Sequence, residues 1–337
     1  MGLLEVRNLS VEFHTDEGIV RPVDSLSYEL EKGEVLGIVG ESGSGKSVSC
    51  LALMGLLPTP PARIPQGEIF LEGQDILKWS PGKRRQMRGK DISMIFQDPF
   101  TSLNPYLKIS TQLMEVMEFH GNYSRAEAKR RSLDMLERLG VPDPETRFKS
   151  YPHQLSGGLK QRIMIAMSLL LKPKILIADE PTTALDVTIQ AQILDLLKEI
   201  NEKEGTAIIM ITHDLGVVAG LCDRVQVMYG GRLVERASTE DLFYRTQHPY
   251  TQGLLDSIPS LESRVGDRLQ PIMGSPPDLT RLGDFCAFSM RCGRVTEECR
   301  AKRPRMQRVS DDSSHEFECY HPLQDEEPES KRSGGGS

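Results

Sequence analysis

The sequence predicts an α/β protein built on a mostly parallel sheet, and three observations carry that prediction. Short apolar runs at Val35–Val39, Ile175–Ala178 and Ala207–Ile211 are nearly unbroken, as suits strands covered on both faces. The last two runs flank a helical pattern over Gln190–Asn201, the spacing of a strand–helix–strand unit. The first run leads into a glycine-rich turn, Gly40 to Ser47, that opens a helix over about Ser47–Leu57.

The remaining elements follow in order. Residues 1–33 alternate apolar and polar side chains (Leu4, Val6, Leu9, Val11, Phe13, then Val23, Leu26, Tyr28, Leu30), which predicts antiparallel strands joined at Asp16-Glu17-Gly18. Gly67–Gly73 reads as a further strand. Leu107–Leu139 is helical, with a charged face opposite Leu133, Met135, Leu136 and Leu139. Val225–Met228 and Arg232–Val234, joined through Gly230-Gly231, form a closing hairpin. Near Ser260 the texture changes to proline, charge and cysteine, so a boundary falls there. The polar segment 324–337 reads as a disordered tail whose Ser-Gly-Gly-Gly-Ser ending resembles an artificial linker.

Bulk properties narrow the function classes. A formal charge of −7 over 337 residues argues against nucleic acid as partner, because phosphate-backbone binding uses a basic surface. No apolar run reaches the ~18 residues that span a bilayer. The amino-terminal residues lack the layout of a signal peptide, and the expected location is cytoplasmic. Cys50 and Cys222 stand alone in apolar contexts and read as buried thiols. Cys286, Cys292, Cys299 and Cys319 cluster, with His315 and His321 nearby. In a reducing compartment such a group is more often a metal site than a disulfide framework.

The chemistry centres on Gly40-Glu-Ser-Gly-Ser-Gly-Lys-Ser47, which reads G-x-x-x-x-G-K-S. Glycines let successive backbone N–H groups face an anion, Lys46 reaches the β- and γ-phosphates, and the Ser47 hydroxyl can ligate Mg²⁺. The following helix presents its positive end to the same anion. Ile175-Leu-Ile-Ala-Asp-Glu180 places two carboxylates at a strand end, Asp179 for the metal and Glu180 to polarise an attacking water. Leu155-Ser-Gly-Gly-Leu159 opens a second helix and is a second anion-binding feature, one more than a single nucleotide needs. The economical expectation is that it completes a site on another copy or a partner.

Together with Gln97 in Ile-Phe-Gln-Asp-Pro, Ala184-Leu-Asp186 and His213 in Ile-Thr-His-Asp, these motifs resemble, in order and over residues 1–260, the ATPase subunit of an ABC transporter. The resemblance implies a RecA-like parallel core, an antiparallel β subdomain and a helical subdomain over about 101–168. It implies that Gly40, Ser42, Gly43, Ser44, Gly45, Lys46, Ser47 and Val48 hold ATP, and that Phe13 stacks on the adenine. Ser47, Gln97 and Asp179 would hold Mg²⁺. Glu180 would be the base, His213 would contact the γ-phosphate, and Gln97 would sense the transport partner. Ser156, Gly157 and Gly158 would close over the ATP of the opposing subunit, with Asp186 across the interface. The signature departs from the family at its last position, where Leu159 replaces a usual Gln. That departure weakens the site formed with this signature and suggests a non-identical partner cassette.

Met94–Pro105, Tyr151–Ser156, Ala178–Gln192 and His248-Pro-Tyr-Thr-Gln-Gly-Leu-Leu255 are similar to the D-type ATPases of oligopeptide/dipeptide permeases, whose vocabulary nickel and some oligosaccharide importers share. The resemblance implies peptide import through two transmembrane permease subunits at the cytoplasmic face of the inner membrane, served by an extracytoplasmic peptide-binding protein. A soluble ABC ATPase acting on DNA or the ribosome would instead carry two cassettes, a coiled-coil insertion or a basic surface. In the extension over 261–323, the resemblance implies a 4Fe–4S cluster on Cys286, Cys292, Cys299 and Cys319. Zinc and unliganded thiols remain open alternatives for those positions.

Overall fold

The computed structural model describes residues 2–98, 102–182, 186–257, 272–311 and 313–323. β1 (Leu4–Thr15) and β2 (Gly18–Leu30) form the expected hairpin, closing on the Thr15–Gly18 pair. β3 (Val35–Val39) leads through the glycine loop into α1 (Lys46–Met54). β4 (Ala62–Leu71) starts five residues before the predicted Gly67, pairs with β1 and turns into β5 (Gln74–Asp75). α2 (Pro81–Met87) and β6 (Ile92–Ile95) follow.

The predicted helical stretch over 107–139 is two helices, α3 (Ile109–Gly121) and α4 (Arg125–Arg138). Asn122 at φ 52° stops the first, and the Ser124 hydroxyl caps the second by accepting from the Glu127 N–H. Apolar periodicity runs through such a break because both helices bury the same side. α5 (Pro144–Lys149) and α6 (Gly157–Leu169) complete this helical region. β7 (Ile175–Asp179), α7 (Val187–Glu204), β8 (Ala207–Ile211) and α8 (Leu215–Leu221) supply the predicted alternation. β9 (Arg224–Tyr229) and β10 (Arg232–Ser238) are the predicted hairpin, followed by α9 (Thr239–Tyr244) and α10 (Pro249–Asp256). Further along come α11 (Glu297–Ala301), β11 (Gln307–Arg308) and β12 (Glu316–Phe317).

The strands make two sheets, a four-stranded antiparallel one in the order β2-β1-β4-β5 and an eight-stranded one in the order β11-β12-β10-β9-β3-β8-β7-β6. β9-β3-β8-β7-β6 is parallel throughout. Period-two alternation then divides the core. Leu36, Ile38, Ile175, Ile177, Ile209 and Ile211 face the antiparallel sheet and α1. Val35, Val39, Leu176, Ala178, Ile208 and Met210 face the helices. Both sets are buried, which is why these strands read as continuous apolar runs.

The cysteine-bearing extension is not a separate body. β12 pairs with β10 and so enters the main sheet. Arg232, nearly buried, donates to Asp24 (2.8 Å) and to the carbonyls of Phe285 (2.7 Å) and Gly283 (2.8 Å). Arg303 forks onto Glu318 at 2.8 and 2.9 Å and reaches Asp24 at 3.3 Å. The fully buried Glu235 carboxylate lies 2.7 Å from His315 Nε2 and accepts the N–H groups of Gln247 and His248. Arg232→Met leaves part of this buried set unpaired and is expected to cost about 3 kcal/mol, a value at the lower edge of broken buried pairs because Arg303 remains on Asp24. Urea unfolding of the full chain measures this, and an unchanged midpoint would show that the extension docks without Arg232.

Candidate functional site

The phosphate loop is set by backbone geometry that only glycine tolerates. Gly40, Gly43 and Gly45 have φ of +148°, +78° and +98°. A Cβ on Gly40 would overlap the Met228 carbonyl oxygen of β9, and one on Gly45 would overlap the Pro22 carbonyl oxygen of β2. The loop is thus pressed between both sheets. Ser42 and Gly43 are exposed at its tip, Ser44 is buried at its base, and Val48 packs on the β-layer core from α1.

Lys46 is buried, and its Nζ donates to the carbonyls of Gly40 (2.7 Å) and Glu41 (2.9 Å) and to Ser44 Oγ (3.4 Å). Burial lowers its pKa, opposed by the charges of Glu180, Asp179 and Glu41.

Asp179 ends β7 and is buried, which raises its pKa, while a hydrogen bond with Ser47 lowers it. Its Oδ1 has no hydrogen-bond partner among the described residues. An unpartnered buried carboxylate oxygen beside a serine hydroxyl is the donor chemistry a Mg²⁺ ion takes.

Glu180 receives two side chains. Gln97 Nε2 donates to its Oε2 at 3.0 Å, and His213 Nδ1 lies 3.2 Å from its Oε1. Gln97 follows β6, Glu180 follows β7 and His213 follows β8, so three neighbouring parallel strands deliver all three at their carboxyl ends. Glu180 itself sits at φ +46°, a left-handed conformation costly for a non-glycine residue, and its N–H is held by the Ile211 carbonyl at 2.9 Å. The arrangement places a carboxylate between a hydrogen-bond donor and an imidazole, beside an anion-binding loop and a cation site. It can orient and deprotonate a water in line with a bound phosphate.

Other predicted residues lie elsewhere. Ser156 caps α6, accepting from Leu159 N–H at 3.4 Å, with Gly157 and Gly158 in the first turn. The Leu159 side chain packs partly buried against the helical core, which accounts for an apolar residue there. Asp186 caps α7 by accepting from Ile189 N–H at 3.0 Å. Its neighbours Ala184 and Leu185 lie outside the described residues. Phe13 is half-buried against the β-layer core.

Cys286, Cys292, Cys299 and Cys319 line one small cavity, with His248, Phe288, Tyr320 and His321. His315 is not in it; the ion pair with Glu235 takes it instead. Burial, reinforced by the neighbouring thiols, pushes Cys286 up to about 11 and Cys319 to about 12. Among the described residues no group of three or more His, Cys, Asp or Glu side chains could hold a single metal ion directly. Cys50 and Cys222 are buried thiols, as predicted.

Sequence reasoning missed the contacts of Tyr250 and Arg291, which converge on Glu41 of the phosphate loop from far apart in the chain. No local pattern marks such a contact.

The fold and this site define an ATP-binding cassette that hydrolyses ATP. Residues 23–183 match the family described as ABC transporter, and residues 234–299 match that described as oligopeptide/dipeptide transporter, C-terminal region. The chain is 49% identical over 320 residues to the oligopeptide transport ATP-binding protein OppD of Bacillus subtilis, covering 95% of this chain and 89% of that one. It is 50% identical over 327 residues to the dipeptide transport ATP-binding protein DppD of the same organism, covering 97% and 96%. Among solved structures, the dimeric bacterial ABC transporter cassette MJ0796 superposes with a TM-score of 0.64 at 27% identity, covering 70% of this chain and 98% of that one. The chain belongs to the oligopeptide/dipeptide transport ATP-binding protein family.

Gly45→Ala is expected to abolish nucleotide binding, because the added methyl must displace the Pro22 carbonyl and because a left-handed alanine alone costs ~1–3 kcal/mol. Titration with a fluorescent ATP analogue measures it; wild-type affinity would mean the loop relaxes around the methyl.

Proposed function

We propose that this chain powers the import of di- and oligopeptides, as one cassette of a pair docked on two transmembrane permease subunits at the cytoplasmic face of the inner membrane. The Gln97–Glu180–His213 cluster beside the phosphate loop carries the reading. In it Glu180 is the general base, His213 contacts the γ-phosphate, and Gln97 relays the permease's position to the base. Ser47 and Asp179 hold Mg²⁺, whose charge stabilises the transferred phosphoryl group. Phe13 stacks on the adenine. Ser156, Gly157 and Gly158 cap the ATP of the second cassette, a non-identical one, with Asp186 across the interface.

A surface feature supports the permease contact. Immediately before Gln97, Phe96 lines a cavity of about 670 Å³ shared with Leu56, Leu107 and Phe119, all exposed. An open apolar groove between sheet and helices fits an amphipathic helix, and its position puts that helix next to the Gln97–Glu180 bond. The names of the relatives support the peptide substrate. In this reading the chain divides into a cassette over 1–260, a cysteine-bearing extension over 261–323 and a tail over 324–337. The lack of a helix long and apolar enough to cross a membrane among the described residues is compatible with a peripheral subunit.

For the extension, the reading is a 4Fe–4S cluster on Cys286, Cys292, Cys299 and Cys319. Four cysteines lining one small cavity supply the right number and type of donor for such a group. The cavity has room for only about 10 Å³, so the side chains must turn outward to admit the group. The role is structural, since ATP hydrolysis needs no redox centre.

Two experiments test these readings. Glu180→Gln is expected to retain ATP binding and lose hydrolysis by a factor of ~10²–10⁴, in the complex purified with its permease; the wild-type complex should be stimulated by peptide. Undiminished turnover in the variant removes Glu180 from the base role, and stimulation by nickel or a sugar instead overturns the substrate. Anaerobically purified chain should be brown and carry iron that Cys292→Ser loses. Zinc, or metal-free protein with wild-type properties, would refute the cluster.

A further inference from the structure

We infer that Arg291, in the cysteine-bearing extension, is a positioning residue for the ATP site: it holds and neutralises Glu41 at the entrance to the phosphate loop. Glu41 is the first variable residue of that loop, and three parts of it are gripped separately. Its N–H donates to the Tyr250 hydroxyl at 2.8 Å. Its carbonyl accepts from Lys46 Nζ at 2.9 Å and from the Ser44 N–H at 3.2 Å. Its carboxylate takes both arms of the Arg291 guanidinium, at 2.6 and 2.9 Å.

Arg291 is itself fixed. Its side chain is 4% exposed and donates to the carbonyls of Ile272 and Met273 at 2.9 Å each and to the Tyr229 hydroxyl at 3.3 Å. Tyr229 and Tyr250 pack on each other with ring centroids 4.4 Å apart, and both pack on Phe288 of the extension, at 5.2 and 5.3 Å. The extension therefore grips the phosphate loop through a charged fork and an aromatic wedge.

Electrostatics gives the fork its function. A carboxylate in the loop opposes the arrival of a triphosphate. A buried guanidinium in bidentate contact cancels that charge and fixes the loop backbone at the same time. The inference holds with or without a metal in the cysteine cavity, because the fork and the tyrosines make no use of the thiols.

The test uses the full chain and a fluorescent ATP analogue, with thermal unfolding followed in parallel. Arg291→Met exposes the loop to the uncancelled carboxylate and should weaken binding about 10–100-fold. Glu41→Gln in the same chain should recover most of that loss, since the repelling charge has gone. A merely structural role predicts instead that the two losses multiply. Arg291→Lys, which keeps the charge and loses the fork, should lie between wild type and Arg291→Met, and it decides the matter should Arg291→Met not fold. Unchanged affinity in a folded Arg291 variant, or a double variant weaker than Arg291→Met alone, overturns the proposal. Iron measured on the same samples keeps the fate of the cluster separate from this result.

Discussion

The constraint on which the molecule depends is the narrow passage through which the phosphate loop runs. On one side is the Met228 carbonyl of the parallel sheet, on the other the Pro22 carbonyl of the antiparallel hairpin, and neither leaves room for a Cβ at Gly40 or Gly45. The two sheets are therefore locked together through a backbone contact at the site itself, not merely through side-chain packing. Because α1 begins at the end of this passage, its amino terminus has a defined aim, and the anion it attracts has a defined place.

Charge is then assembled around that place in a way that water would normally oppose. Lys46 and Asp179 are both buried, and burial shifts each toward its neutral form. Each opposes the other's shift: the carboxylate charges act against the lowering of Lys46, and Ser47 and Lys46 act against the raising of Asp179. Glu180 sits at the edge of this group in a strained backbone conformation, tied by Gln97 and His213. The left-handed backbone recurs at Glu72 and other non-glycine residues, and at Glu180 the Ile211 carbonyl holds it by accepting the N–H.

How much of this was legible follows from the range of each interaction. The parallel core, the β hairpin and the phosphate loop are written in local patterns: unbroken apolar runs, period-two alternation, glycines at fixed offsets. The convergence of Gln97, Glu180 and His213 was legible only through the family resemblance, since the strand that leads to Gln97 and the order of the three strands show only in the fold. The break at Asn122 was hidden because α3 and α4 bury the same side. His315 was misleading for a related reason, since proximity in sequence to Cys319 places it beside the metal candidates, whereas β12 turns its side chain onto Glu235. Arg291 and Glu41 are 250 positions apart, and no periodicity or motif spans such a distance.

The same reasoning recasts the departure at Leu159. Read as a motif, a leucine in place of glutamine is a lost polar contact. Read as packing, it is a side chain half-sunk into the helical core beneath α6, while Ser156 still caps the helix and Gly157 and Gly158 still open its first turn. The groups that would meet a phosphate are backbone N–H groups and one hydroxyl, and none of them depends on the side chain at position 159. What the leucine adds is apolar contact between α6 and its own core.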